Sequence, residues 1–127
     1  MSKCPFCCLE EVRIGSSSPA AFAIRDLFPV TEGHTLVIPR VHVKSLYELK
    51  AQDQEAIWKL VAHVREKIKR EFGVDAFNIG INDGSDAGQT IEHANVHVIP
   101  RRHGDVPDAR GEIRNIFPAK ARYWERG

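Results

Sequence analysis

No apolar run in this chain approaches the roughly 18 residues that a membrane-crossing helix requires. The opening stretch Met-Ser-Lys-Cys-Pro-Phe-Cys-Cys lacks the apolar core of a secretory leader, so the expected compartment is the cytoplasm, where thiols stay reduced. An excess of one charge is also missing. The net charge is +1, and the basic residues are scattered apart from Arg40, Lys44 and the cluster Lys67, Lys69, Arg70, which argues against a nucleic-acid polymer as partner. Cysteine is scarce: there are three, at positions 4, 7 and 8, a grouping that suits a metal better than disulfides in a reducing compartment. Internal repeats, low-complexity tracts and a regular βαβ alternation are absent as well.

What is present is ordinary for a globular chain. Its 127 residues suit one domain with a real core, and 43% hydrophobic with 28% charged residues lies near the average. The single domain is expected over 1–127, with an N-terminal cysteine segment at 1–15 and a tail at 103–127. Residues 15–19, Gly-Ser-Ser-Ser-Pro, read as a turn or loop, residues 21–26 as a short strand that breaks at Phe28-Pro29, and residues 34–38 as a β-branched strand closing on Pro39. From 52 to 72 the apolar positions Ile57, Leu60, Val61, Val64, Ile68 and Phe72 recur at helical intervals. Asp53 can cap that helix and Gly73 sits where its C-terminus favours a glycine. A third strand is expected at 76–81, a polar glycine-bearing loop at 82–88 and a further strand at 93–99; the tail after Pro100 has no clear pattern. Strands on either side of one long helix predict an α+β domain with a mostly antiparallel sheet.

The chemistry concentrates in residues 89–100, Gln-Thr-Ile-Glu-His-Ala-Asn-Val-His-Val-Ile-Pro. In an extended strand His93, Asn95 and His97 share one face, and alternate side chains there stand about 7 Å apart, a spacing that can meet successive atoms of a phosphate-bearing substrate. Gly84 and Gly88 allow backbone amides to approach a phosphate, with Gln89 and Thr90 as side-chain donors beside it; the plainer reading is a surface turn. Asp26 is either a turn residue or a carboxylate that can accept two hydrogen bonds from a vicinal diol.

The row at 93, 95 and 97 resembles the His-x-His-x-His-x-x signature of the histidine triad (HIT) family of nucleotidyl hydrolases and transferases, with Asn95 at the central position. Phe22-Ala23-Ile24-Arg25-Asp26, Gly33-His34-Thr35-Leu36-Val37-Ile38-Pro39 and Asn82-Asp83-Gly84 leading to Gly88-Gln89-Thr90 extend the resemblance over most of residues 4–102. It implies a HIT-like fold with one long and one short helix, a homodimer, and a purine nucleotide, adenosine foremost, bound by Phe22, Ile24, Asp26, Leu36, Asn82, Gly88, Gln89, Thr90 and His97. It also implies that the residue at 95 is the nucleophile, with His97 contacting the phosphate or leaving group and His34 fixing the nucleophile's tautomer. Members with an N-terminal Cys-x-Phe-Cys resemble Cys4-Pro5-Phe6-Cys7 here and imply a structural zinc on Cys4, Cys7, His42 and His93. The bland alternative is buried small cysteines and a loop histidine. Cys8 is expected to pack, His63 to be structural, and His103 to lie near the mouth of the site without a clear role.

The resemblance implies ping-pong chemistry: a central histidine attacks the α-phosphorus, and water then releases a nucleoside monophosphate from a dinucleoside polyphosphate, a phosphoramidate, or an aminoacyl or peptidyl adenylate. An amide nitrogen, its lone pair delocalised into the carbonyl, cannot do this, so Asn95 implies impaired catalysis. Either the position has been altered from histidine, stalling the reaction while nucleotide is retained, or the chain is a non-catalytic nucleotide sensor or scaffold. The equipped surroundings favour alteration.

Overall fold

The computed structural model describes residues 4–125. Five antiparallel strands, β1 (Ile14–Ser17), β2 (Ala21–Arg25), β3 (Thr35–Pro39), β4 (Ala76–Gly80) and β5 (Val96–Arg101), form one sheet in the order β1-β2-β3-β5-β4. One long helix, α1 (Ala51–Phe72), connects β3 to β4, and the expected short helix is replaced by brief 3-10 turns, among them Glu11–Arg13, Leu46–Glu48 and Ser85–Ala87. Among the described residues no helix is long and apolar enough to cross a membrane.

The helix forms where the periodicity predicts it. Ile57, Leu60, Val61, Val64 and Ile68 are its buried positions, and Gly73 ends it in the left-handed region (φ 66°, ψ 34°) while donating to the Lys69 carbonyl. Asp53 is not the cap, however. Lys50 occupies that position without a side-chain bond, and Asp53 lies in the first turn, where its charge complements the helix dipole.

Strand alternation divides the apolar residues into two layers. Ala21, Ala23, Val37, Val96 and Val98 face α1, and each buried valine there stabilises the fold by about 1.5–3 kcal/mol. Phe22, Ile24, Leu36 and Ile38 occupy the opposite face and pack with Phe6 of the N-terminal segment. The cross-strand register Ile24↔Leu36, Leu36↔His97 and Gly80↔His97 then aligns Ile24, Leu36 and His97 in one row across the face away from the helix. That row is the floor of the site.

Three expectations change. Residues 14–17 are a strand rather than a loop, confining the turn to residues 18–20, because an edge strand pairs through its backbone and Gly-Ser-Ser needs no β-forming side chains to do so. The 93–99 strand begins at Val96, so His93 and Asn95 precede the ladder and do not share one regular face with His97. The tail consists of 3-10 turns, Glu112–Ile116, Pro118–Lys120 and Tyr123–Glu125. It is stapled to β5 by Arg101, whose Nε and Nη2 each donate to Asp105 at 2.9 Å, holding that carboxylate well below the usual range. Farther along, Arg110 stacks on Trp124 at 4.2 Å.

Candidate active site and metal hook

Above the row Ile24, Leu36, His97 lies a cleft of about 510 Å³, within the range of small-molecule and cofactor sites. Asp26, just beyond the end of β2, and His34, just before β3, stand beside it because the turn between these strands folds back on both. Asp26 Oδ1 accepts from the Phe28 N–H at 2.9 Å, and its Oδ2 lies 3.4 Å from His34 Nε2. His34 is buried, its Nδ1 3.2 Å from the Val30 N–H and its Nε2 2.9 Å from His97 Nδ1.

These contacts fix the protons. The Val30 N–H can only donate, so His34 Nδ1 accepts and the ring carries its proton on Nε2. Nε2–H donates to His97 Nδ1, which leaves the His97 proton on its own Nε2. Burial lowers the pKa of both imidazoles, with the Asp26 charge pulling each back upward, and His97 further lowers His34. The arrangement is a relay of two neutral rings ending on an N–H donor. The Asp26, His34, His97 donor atoms are close enough to suggest a cation site, but His34 already uses both nitrogens in the relay.

Asn95 also lines the cleft, and its Nδ2 donates to the His93 carbonyl at 3.1 Å. The glycine loop 82–88 closes another side. Gly84 and Gly88 have φ of 99° and 97°, values that an L side chain rarely tolerates, and Asn82, Gly88, Gln89 and Thr90 all reach the cleft. Gln89 is not a spare donor as expected. Its Oε1 accepts from the Gly84 N–H at 2.8 Å and its Nε2 donates to the Lys44 and Ile91 carbonyls, so the amide braces the loop. Phe22 is not a cleft wall either: its strand position places it deeper in the apolar layer, under the Arg40 guanidinium. His103 lies in a groove between β4 and the tail, away from the cleft. His63 and Cys8 are exposed rather than structural or packed: His63 lies off the buried stripe of α1, and Cys8 lies in the turn region after the hook.

Sequence reasoning missed Pro5, Phe6, Arg13, Leu27, Phe28, Val30 and Ile91 as lining residues. Leu27, Phe28 and Val30 carried a signal, apolar residues gathered at the Pro29 break directly after the candidate carboxylate Asp26, and the structure leaves Phe28 86% exposed there.

The second cluster brings together all four residues expected of the cysteine hook. The nearest ligating atoms of Cys4, Cys7, His42 and His93 lie within 4.8 Å of one another. His93 Nδ1 is 3.3 Å from Cys4 Sγ and 3.5 Å from Cys7 Sγ, and His42 Nδ1 is 3.2 Å from Cys7 Sγ. His93 is fully buried, and its Nε2 donates to the Pro39 carbonyl at 2.8 Å, which leaves the Nδ1 lone pair aimed at the sulfurs. Desolvation raises the Cys7 thiol pKa, with the neighbouring Cys4 adding to it. Two sulfurs and two imidazoles converging with one tautomer fixed suit a tetrahedral zinc-type ion.

Known proteins agree with this architecture. Residues 13–104 match the HIT domain family model. The chain is 43% identical over 89 residues to the bis(5'-nucleosyl)-tetraphosphatase (asymmetrical) of Schizosaccharomyces pombe, a match covering 70% of this chain and 48% of that protein. It is 31% identical over 97 residues to the bis(5'-adenosyl)-triphosphatase of Dictyostelium discoideum, covering 76% of this chain and 65% of that one. The chain thus spans less than two thirds of the length of either enzyme. The crystal structure of a HIT family member from Bacillus subtilis superposes with a TM-score of 0.72 at 26% identity, over 94% of this chain and 96% of that one. This chain belongs to the HIT family.

Proposed function

We propose that the cleft binds a purine nucleotide, adenosine monophosphate or a larger adenylyl compound, and that the fold is equipped to release a nucleoside monophosphate from phosphoanhydride or phosphoramidate substrates. The observation that carries this reading is the pair of neutral rings, His34 and His97, beside the Asp26 carboxylate and opening on the glycine loop. A carboxylate at one end can accept from a ribose diol, and an imidazole N–H at the other can donate to a phosphate oxygen. Between them, Ile24 and Leu36 offer an apolar floor for a base. The dinucleoside polyphosphatases among the relatives support this substrate class.

In this reading position 95 faces the α-phosphorus. A histidine there would form a phosphorus–nitrogen bond as the bond to the leaving group breaks, His97 would protonate the leaving group, and water would then cleave the nucleotidyl-histidine. Asn95 retains hydrogen-bonding reach without nucleophilicity, so this chain binds and turns over slowly. A scaffold or sensor role is the second reading, favoured by Asn95 being already engaged with the His93 carbonyl.

Zinc belongs to the same proposal. Cys4, Cys7, His42 and His93 would hold it, and the ion would supply structural closure, because four protein ligands leave no open position for water. A homodimer is proposed as well, supported by the unpaired outer edge of β4. A cytoplasmic setting suits unpaired cysteines.

Calorimetry with adenosine monophosphate tests the reading. Binding is expected at or below millimolar concentration, weakened by about 1–3 kcal/mol in Asp26→Ala and again in His97→Ala. No heat from purine nucleotides at millimolar concentration, or undiminished binding in both variants, would contradict it.

A further inference from the structure

The two residues between the hook cysteines belong to the other site. Pro5 and Phe6 line the nucleotide cleft, while Cys4 and Cys7 on either side of them point to His42 and His93. Phe6 is buried in the apolar layer with Ile24 and Leu36, the cleft floor, and its ring meets His93 edge-on at 5.8 Å between centroids. Hook and cleft wall are therefore opposite faces of one four-residue turn, closed by the Cys7 N–H donating to the Cys4 carbonyl at 3.2 Å.

What holds this turn in place is limited. Residues 4–10 belong to no strand or helix. Among the described residues, every hydrogen bond that leaves residues 4–8 for the rest of the protein runs from a hook thiol to His42 or His93. The remaining attachment is the packing of Cys4, Phe6 and Leu9 against the apolar layer. A second connection runs through the backbone of the buried ligand: the His93 carbonyl accepts from Asn95 Nδ2 inside the cleft.

From this geometry we infer that Cys4 and Cys7 are positioning residues for nucleotide binding: metal occupancy of the hook and nucleotide occupancy of the cleft are coupled through Pro5, Phe6 and the His93 carbonyl. The inference rests on both the zinc and the nucleotide readings above. An ion gathering the four ligands clamps Phe6 against Ile24 and Leu36 before nucleotide arrives, so the ordering cost of that wall is already met. Without the ion the wall is ordered only by its own packing, and nucleotide must bear that cost. Linkage makes the effect reciprocal: whatever factor zinc adds to nucleotide affinity, nucleotide adds to zinc affinity. Phe6 transmits the coupling without ligating anything, which separates it experimentally from the hook.

The test is titration of this chain with adenosine monophosphate in zinc-loaded and chelated forms, together with a zinc competition titration with and without saturating nucleotide. Zinc is expected to tighten nucleotide at least ~10-fold, nucleotide to tighten zinc by the same factor, and both factors to approach one in Phe6→Ala while that variant still holds stoichiometric zinc. Circular dichroism reports whether the chelated chain stays folded. If it does not, zinc-loaded Phe6→Ala and Phe6→Leu decide, and undiminished nucleotide affinity in both overturns the proposal. Equal nucleotide affinity with and without zinc in folded protein overturns the coupling alone. Failure to take up zinc overturns it by way of the hook reading, and absence of nucleotide heat in the zinc-loaded chain by way of the nucleotide reading.

Discussion

Two polar clusters share the segment 93–97, and they use their histidines in opposite ways. At the hook, His93 has one nitrogen anchored on the Pro39 carbonyl and the other aimed at two sulfurs, so the donor atoms converge on a single point. At the cleft, the Val30 N–H donates to His34 and His34 in turn to His97, with the Asp26 carboxylate beside His34, and the series ends on the His97 Nε2–H in a ring that lines the cleft. Convergence closes a site around an ion, whereas a series leaves an end available to a substrate. The residue types overlap, and the hydrogen bond on each ring's second nitrogen makes the difference.

Breaking the hook gives the largest expected effect on the fold. Structural zinc contributes about 10–16 kcal/mol in peptides that fold only around it; this chain has its own core, so Cys4→Ser is expected to lose about one zinc per chain and only several kcal/mol of stability. Metal analysis and thermal melts would show it, and His97→Ala should retain the metal in full. Metal-free protein with an unchanged melt on Cys4→Ser would contradict the hook.

A smaller loss is expected at the loop. Gln89→Ala removes three hydrogen bonds to backbone groups and should cost about 1–3 kcal/mol of stability with a matching loss of nucleotide affinity, whereas Thr90→Ala should change affinity alone. Denaturant melts paired with calorimetry separate the two, and equal stability of both variants would argue that the Gln89 brace is unimportant.

That contrast also marks where the sequence stops being legible. Helix α1 was readable because its five buried positions repeat at the helical period, and Gly73 because a helix end at positive φ admits little else. The cleft residues Asp26, His34 and His97 and the four hook residues were readable through the motif. The role of Gln89 was not, because an amide's donors can be counted from sequence but their targets depend on where Lys44 and Ile91 lie. Strand β1 was hidden because its partner β2 recruits it through backbone bonds. The 3-10 tail was hidden because Arg-to-carboxylate and Arg-to-aromatic contacts, such as Arg110 on Trp124, leave no periodic trace. The start of β5 at Val96 is set by its partner Val37, not by its own residues.

The smallest expected effect is on pH. Burial lowers His34 and His97 below their ordinary value of 6.5, so as pH falls below about 6.5 the unfolded chain binds protons that the folded chain resists. Their contribution to stability is therefore complete above 6.5 and is lost as pH falls toward the lowered folded values. Denaturant melts between about pH 5 and pH 7.5 should show that decline, shallower in His97→Gln. A flat profile, or one rising toward acid, would contradict neutral rings in the relay.

In the function proposed above, the cleft is an equipped nucleotidyl-transfer site held back at position 95. That reading is tested most directly by the rate of diadenosine triphosphate hydrolysis in this chain and in Asn95→His. A gain of at least ~10³-fold is expected, with trapping of an adenylyl-protein intermediate in the histidine form, and rates within a factor of a few of each other would contradict the assignment of position 95.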